Sequence, residues 1–157
     1  MEKIQEKAAF LKNEYTRLLS RLAPDAQPKW GKMNVLQMIE HMSDYVRIAS
    51  GRTPMNIITP EENLPKMQGF LMNEKPMREN TPNPLMPDTP IPAKHINKQD
   101  AVLELQNELD YFFSVYEKEQ GKKIPNPFFG ELPYDMQVQL LYKHSTHHLR
   151  QFGAMES

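Results

Sequence analysis

Apolar residues recur at steps of three and four along four stretches of the sequence, which is the spacing of an amphipathic α-helix. The four stretches cover about residues 2–22, 34–50, 98–119 and 133–152. No stretch shows the clear alternation of apolar and polar residues that is typical of a half-buried strand. A length of 157 residues suits one domain with its own core. The sequence therefore predicts an all-α fold, a single four-helix bundle over residues 1–157.

Residues that begin and end helices stand at the edges of these stretches. Asn34, followed three residues later by Gln37, has the pattern of a capping box, and Gly51 ends the same stretch. Asn97 is placed to cap the third helix, and Pro133 suits the first turn of the fourth. These signals support the helix limits that the apolar spacing predicts.

The segment between the second and third helices, residues 51–97, is unusually long and holds nine of the fourteen prolines. A segment of this length can return along the whole bundle, which allows the second and third helices to run parallel. We expect it to lie against the bundle, with a short helix around Lys66–Asn73. The alternative, a mobile hinge between two domains, is disfavoured because neither flank could hold a core alone. The segment carries the apolar residues Ile57, Ile58, Met67, Phe70, Leu71, Met72, Leu85 and Met86.

The balance of charge and the lack of cysteine exclude several classes of protein. The formal net charge is −1, and no basic stripe or polybasic patch indicates a nucleic acid or an anionic membrane as partner. The sequence starts with charged residues instead of a signal peptide, and no stretch is apolar enough to span a bilayer. We therefore expect a cytoplasmic protein. Without cysteine, a metal site has only nitrogen and oxygen ligands.

Three histidines are candidate ligands for a metal ion. His144 and His148 are four residues apart, so they project from one face of the fourth helix, a face that also carries Leu141. His41 lies at the edge of the apolar face of the second helix. Imidazoles in an apolar core need polar partners, and a shared metal ion would supply one. The alternative is that they are core histidines bonded to backbone carbonyls or to each other.

Other polar residues stand close to these histidines in the sequence. His147 projects about 100° away from His148, which favours a flanking role over a ligand. Asp44 and Gln151 each lie three residues from a candidate ligand, and either could orient an imidazole through its second nitrogen. Solvated surface residues are the alternative for both. His95 precedes the third helix and has the pattern of an ordinary loop histidine.

A site of three histidines would leave a coordination position open, as catalytic metal sites do. Imidazole suits zinc, nickel, copper and iron alike, and a bound divalent ion can activate water or a thiol. One hypothesis is therefore a metal-dependent transferase or hydrolase acting on a small molecule. A second is a metal- or ligand-binding bundle without catalysis. A third is an interaction module that forms a homodimer and whose histidines belong to the core.

Two groups of motifs resemble the DinB-like (damage-inducible) superfamily of metal-binding bundles. The first is Gly31–Asn34 leading into residues 37–42. The second is Pro127–Leu132, followed by the histidines and aromatic residue of 144–153, and it is similar to an uncharacterised branch of the superfamily. The chain departs from that branch in two places: Asn126 stands where a histidine is common, and Tyr134 and Met136 stand where a tryptophan is common.

The resemblance implies an up-down-down-up four-helix bundle with a metal site at His41, His144 and His148, often occupied by nickel or zinc. Some members of the superfamily are thiol transferases that use a low-molecular-weight thiol such as bacillithiol or mycothiol. The resemblance thus implies a thiol as cofactor, although the branch itself has no established activity. It gives no reason to expect contact with DNA.

Overall fold

The computed structural model describes residues 2–79 and 89–155, with Glu2 described in its backbone only. Within these ranges the chain is mostly helical, with six α-helices and one two-stranded antiparallel sheet. The helices are α1 (Glu2–Asn13), α2 (Tyr15–Arg21), α3 (Val35–Ser50), α4 (Leu64–Met72), α5 (Lys98–Lys118) and α6 (Tyr134–Gln151). The strands are β1 (Ile124–Asn126) and β2 (Gly130–Leu132), and a short 3₁₀ helix covers Glu61–Asn63.

The prediction of one helix over residues 2–22 was wrong, because the helix is interrupted at Glu14. The interruption is slight: Glu14 N donates to Phe10 O, and Leu18 N donates to Glu14 O, at 2.9 and 3.0 Å. Leu11 and Tyr15, one on each side of the break, are both buried. The apolar spacing therefore continues through the break and gives no sign of it.

The prediction of a chain without strands was also wrong. Ile124 pairs with Leu132 and Asn126 with Gly130 in a short antiparallel hairpin. Strands of three residues are too short for an alternating pattern, and Pro125 inside the first one argues against a strand. The fold is therefore mostly helical with a small sheet, not all-α.

Asn126 builds the turn of this hairpin and joins it to the long connecting segment. Its Oδ1 accepts hydrogen bonds from Phe128 N and Phe129 N at 2.9 and 3.1 Å. The carbonyls of the same two residues accept hydrogen bonds from Thr59 Oγ1 and Gln68 Nε2. Asn126 thus has a structural role in this chain.

The short helix predicted around Lys66–Asn73 is confirmed as α4. Leu71 is buried, and Lys143 of α6 donates to the backbone carbonyls of the last turn and of Asn73. A lysine at the carboxyl end of a helix interacts favourably with the helix dipole. These contacts hold this part of the connecting segment against α6. Leu85 and Met86, which were also expected to pack on the bundle, lie outside the described residues.

Helices α3 and α5 lie side by side and run in the same direction. Near the start of α3, Glu40 accepts a hydrogen bond from His95 N, just before α5 begins. Near the end of α3, Arg47 pairs with Glu104 and Glu108 at 2.8 and 3.1 Å. The chain therefore leaves α3 at one end of this pair of helices and enters α5 at the other end.

The core is apolar and is shared by all the longer helices. Its largest fully buried side chains include Tyr15, Leu19, Met38, Ile39, Met42, Leu105, Leu109, Phe112, Leu141 and Leu149. Burial of this many large apolar side chains is the main force that holds the helices together. Among the described residues, no helix combines the length and the apolar character that crossing a membrane requires.

Candidate metal centre

Helix α3 is positioned so that His41 lies two turns from a well-defined start. The predicted capping box is present: Gln37 N donates to Asn34 Oδ1, and Asn34 N donates to Gln37 Oε1, at 2.8 and 2.9 Å. At the other end, Gly51 adopts a left-handed conformation with φ 85°, which favours glycine. Both ends of the helix are therefore fixed by local interactions, and so is the face on which His41 lies.

The structure brings together the three histidines that the sequence singles out. His41 Nε2 of α3 lies 3.0 Å from His144 Nε2 of α6. One nitrogen from each of His41, His144 and His148 lies within 4.8 Å of the others. The ring centroids are 4.8 to 5.0 Å apart. Three histidines on two facing helices thus lie close enough to hold one metal ion.

Burial keeps these imidazoles in the form that binds metals. His41, His144 and His148 are 9, 7 and 5 % exposed. Burial, followed by repulsion from His147, lowers the pKa of His41 to about 4. Burial is also the largest cause that holds the pKa values of His144 and His148 well below the usual range. At neutral pH the three rings are therefore neutral, and each has a nitrogen lone pair to offer.

His148 carries an unsatisfied nitrogen. Its Nδ1 lies 2.7 Å from Gln151 Oε1, and since an amide oxygen only accepts, Nδ1 carries the proton. Its Nε2 is then an acceptor, and this atom is buried without a hydrogen-bond partner among the described residues. A buried acceptor without a donor is costly. A cation bound to the cluster would satisfy it.

Gln151 is held in place from the other side of its amide. Its Nε2 donates to Trp30 O at 2.8 Å, which fixes which end of the amide faces His148. Gly31 has φ 78°, and a Cβ atom there would lie 3.0 Å from Gln151 Nε2. The positive φ and the close approach of this amide therefore both favour glycine at position 31. Sequence spacing identified Gln151 as a candidate, but it gave no sign of this contact with Gly31.

Asp44, unlike Gln151, is paired with an arginine and not with a histidine of the cluster. Its carboxylate forms an ion pair with Arg47 at 2.8 Å, and its side chain is largely exposed. Burial raises the pKa of Asp44, and the charge of Arg47 opposes that rise. The structure thus places Asp44 beside the cluster, with its hydrogen bond directed to Arg47.

His147 and His95 both make contacts that the sequence did not predict. The His147 ring is buried, with its centroid 5.2 Å from that of Trp30 and 5.1 Å from that of His148. His95 Nδ1 lies 2.5 Å from Glu40 Oε2, and its Nε2 lies 3.5 Å from Glu104 Oε2. His95 therefore joins the start of α5 to α3, whereas His147 packs behind one of the candidate ligands.

Tyr45 also lies beside the cluster, although the sequence did not indicate it as a site residue. Its ring centroid lies 4.8 Å from those of His41 and His144. A tyrosine one turn after His41 is a usable signal, because residues four apart share a helix face. The signal is weak alone, since aromatic residues at this spacing usually pack in cores.

Comparison with protein-family models, curated proteins and solved structures found no match for this chain. The likeness to the DinB-like superfamily therefore rests on its motifs alone.

Proposed function

We propose that this protein is a metal-dependent enzyme that holds one divalent ion with His41, His144 and His148. The observation that carries the proposal is the meeting of three buried, neutral imidazoles within 4.8 Å. The proposed reaction is a transfer or a hydrolysis on a small molecule. A divalent ion with three imidazole ligands leaves room for one more ligand and supplies Lewis acidity that turns water or a thiol into a nucleophile near neutral pH.

Hydrogen bonding within the cluster is the main alternative, and it leaves the cluster incomplete. The distance of 3.0 Å between His41 Nε2 and His144 Nε2 suits a hydrogen bond with one proton between the two rings. That bond leaves His148 Nε2 buried without a donor. One ion shared by the three nitrogens would satisfy all of them, so the metal explains more of the observed arrangement.

The donor set fits the ions that the resemblance implies. Nitrogen ligands from imidazole suit both nickel and zinc. Burial is the largest cause of the low pKa of His41. The ring is therefore already deprotonated at neutral pH, so no proton has to be removed before an ion binds. Gln151 would hold His148 in the tautomer that leaves Nε2 free to coordinate. The use of a low-molecular-weight thiol as the second reactant is part of this proposal and rests on the resemblance.

The proposal includes an up-down-down-up order for the four long helical segments, with α1 and α2 counted together. Lys7 contacts Gln139 and Phe10 packs on Tyr142, which supports a common direction for α1 and α6. Lys98, at the start of α5, donates to carbonyls at the end of α2, which supports opposite directions for those two. With α3 parallel to α5, these contacts favour the proposed order.

Metal content tests the binding step of this proposal. The protein is purified without an affinity tag, incubated with zinc or nickel, desalted and analysed for metals. We expect about one equivalent in the wild type and little in the double variant His144→Ala/His148→Ala. His95→Ala is the matched control, because it removes a histidine outside the cluster and should retain the metal. Equal metal content in all three proteins would overturn the proposal.

Catalysis is tested separately with the metal-loaded protein. Screens for hydrolysis of small esters and amides, and for transfer of a low-molecular-weight thiol to an electrophile, should show activity in the wild type. The activity should be lost in the double variant. A protein that binds one equivalent of metal and is inactive in all these screens would contradict this reaction class while leaving the metal site intact.

A further inference from the structure

A cleft beside the histidine cluster indicates what kind of molecule reaches it. The cleft has a volume of about 260 Å³ and lies between α3 and residues 90–94 of the connecting segment. His41 and Tyr45 line it. Because both rings also contact His144, the same side chains belong to the wall of the cleft and to the surroundings of the cluster. The cleft therefore lies directly beside the histidine cluster.

Three of the polar side chains that line the cleft are bonded to other parts of the protein. Gln37 uses both ends of its amide, one in the capping box and one on Ile91 O at 3.1 Å. Both oxygens of Glu40 accept from backbone amides just before α5. Asp44 is paired with Arg47. These bonds hold the wall of the cleft in place, and they occupy most of the hydrogen-bonding atoms that these three side chains could use to bind a ligand.

The remaining lining is mostly apolar. Met33 and Ile48 come from the loop before α3 and from α3 itself, and Ile91 comes from the opposite wall. Ile91 is 62 % exposed, so part of its apolar surface faces solvent at the cleft. A bound molecule would cover it. The cleft therefore offers mostly apolar surface, and His41 forms part of its wall.

We propose that this cleft binds a small apolar molecule whose single polar group reaches the histidine cluster. This inference rests on the proposed function, because it names the class of substrate for the same site. The volume lies below the range of about 300 to 1,000 Å³ found for drug-sized ligands, so the substrate is the size of a single substituted ring or a short branched chain.

Imidazole and 4-phenylimidazole are suitable probes, because both present the same nitrogen ligand and only one carries an apolar body. Their affinities are measured by calorimetry on the cobalt-loaded protein and on the metal-free protein. In the wild type we expect 4-phenylimidazole to bind about ten-fold more tightly than imidazole, through burial of part of its phenyl ring.

Two isoleucines of the connecting segment provide a matched pair of variants. Ile91→Asp places a charge at the cleft, whereas Ile96→Asp makes the same change at a side chain that is 97 % exposed and does not line the cleft. Both side chains are exposed, so neither change threatens the core. We expect Ile91→Asp to reduce the preference for 4-phenylimidazole to less than about three-fold, with imidazole binding and metal content unchanged. Ile96→Asp should behave as the wild type.

The outcomes separate this inference from the proposed metal centre. Equal affinities for the two probes in the wild type, or equal effects of the two substitutions, would overturn the apolar cleft. A protein that takes up no cobalt, but whose metal-free form prefers 4-phenylimidazole until Ile91 is replaced, would refute the metal centre and support the cleft. Uptake of cobalt without a preference between the probes would support the metal centre and refute the apolar cleft.

Discussion

His148 Nδ1 donates a hydrogen bond to Gln151 Oε1 across 2.7 Å, and this bond determines that Nε2 is the ring nitrogen left for a metal. The amide of Gln151 is held in turn by Trp30 O. A chain of two hydrogen bonds therefore runs from the loop before α3 to a candidate ligand on α6. Partners of this kind orient metal-binding imidazoles and raise their affinity for the ion.

Replacing Gln151 with leucine should weaken metal binding by about 10- to 100-fold, because His148 loses the group that fixes its tautomer and orientation. Asp44→Asn is the matched comparison, since Asp44 also lies three residues from a candidate ligand but pairs with Arg47. We expect that change to alter affinity by less than about three-fold. Competition with a chromogenic zinc chelator measures both. Equal losses in the two variants would contradict the role given to Gln151.

Replacing His41 with alanine should remove most of the bound metal, although both histidines of α6 remain. Two ligands on one helix bind an ion far more weakly than three that converge from two helices. His147→Gln is the control, because it changes a buried histidine that packs behind the cluster. Elemental analysis should find metal in that variant. Unchanged metal content in His41→Ala would show that the site does not extend across the two helices.

The metal-free protein should lose stability as the pH falls from about 6.5 towards 4. In the unfolded chain a histidine takes up its proton near pH 6.5, whereas burial lowers the pKa of His41 in the folded chain to about 4. Between these values the unfolded state binds more protons, so the free energy of unfolding falls with falling pH. His41 alone would contribute on the order of 3 kcal/mol across this window.

Denaturant unfolding at pH 6.8 and pH 5.0 measures this effect above the range in which most carboxylates titrate. The double variant His144→Gln/His148→Gln serves as the control, since it removes two of the three buried imidazoles. Its stability should change less between the two pH values. A wild-type protein that is equally stable at both would show that these histidines are not kept neutral in the folded state.

Zinc should raise the melting temperature of the wild type and leave that of His144→Ala/His148→Ala unchanged. An ion that binds only the folded chain stabilises it by about 2.7 kcal/mol at a free concentration 100 times its dissociation constant. A chelator should reverse the shift. Scanning calorimetry with and without zinc provides the measurement, and an equal shift in both proteins would indicate binding elsewhere on the chain.

The sequence predicted those features that depend on local spacing. The limits of α3, α5 and α6 agree with their apolar repeats and capping residues, because these act within one or two helical turns. The pair His144 and His148 could be recognised because residues four apart share a helix face. His41 could be added because its own helix turns it towards the core.

The remaining features depend on contacts that spacing does not encode. Asp44 and Gln151 have the same offset from a candidate ligand, yet only Gln151 meets an imidazole, because Gly31 and Trp30 lie beside it in the fold. The break at Glu14 leaves the apolar repeat intact and so cannot be seen in it. The cleft forms between segments more than forty residues apart, which no local pattern could reveal.

The most direct test of the central claim is anomalous diffraction from crystals of the zinc-loaded protein, recorded at the zinc absorption edge. We predict one anomalous peak among His41, His144 and His148, about 2.0 to 2.1 Å from one nitrogen of each ring. A zinc peak that lies elsewhere, with these three imidazoles bonded only to each other, would contradict the account.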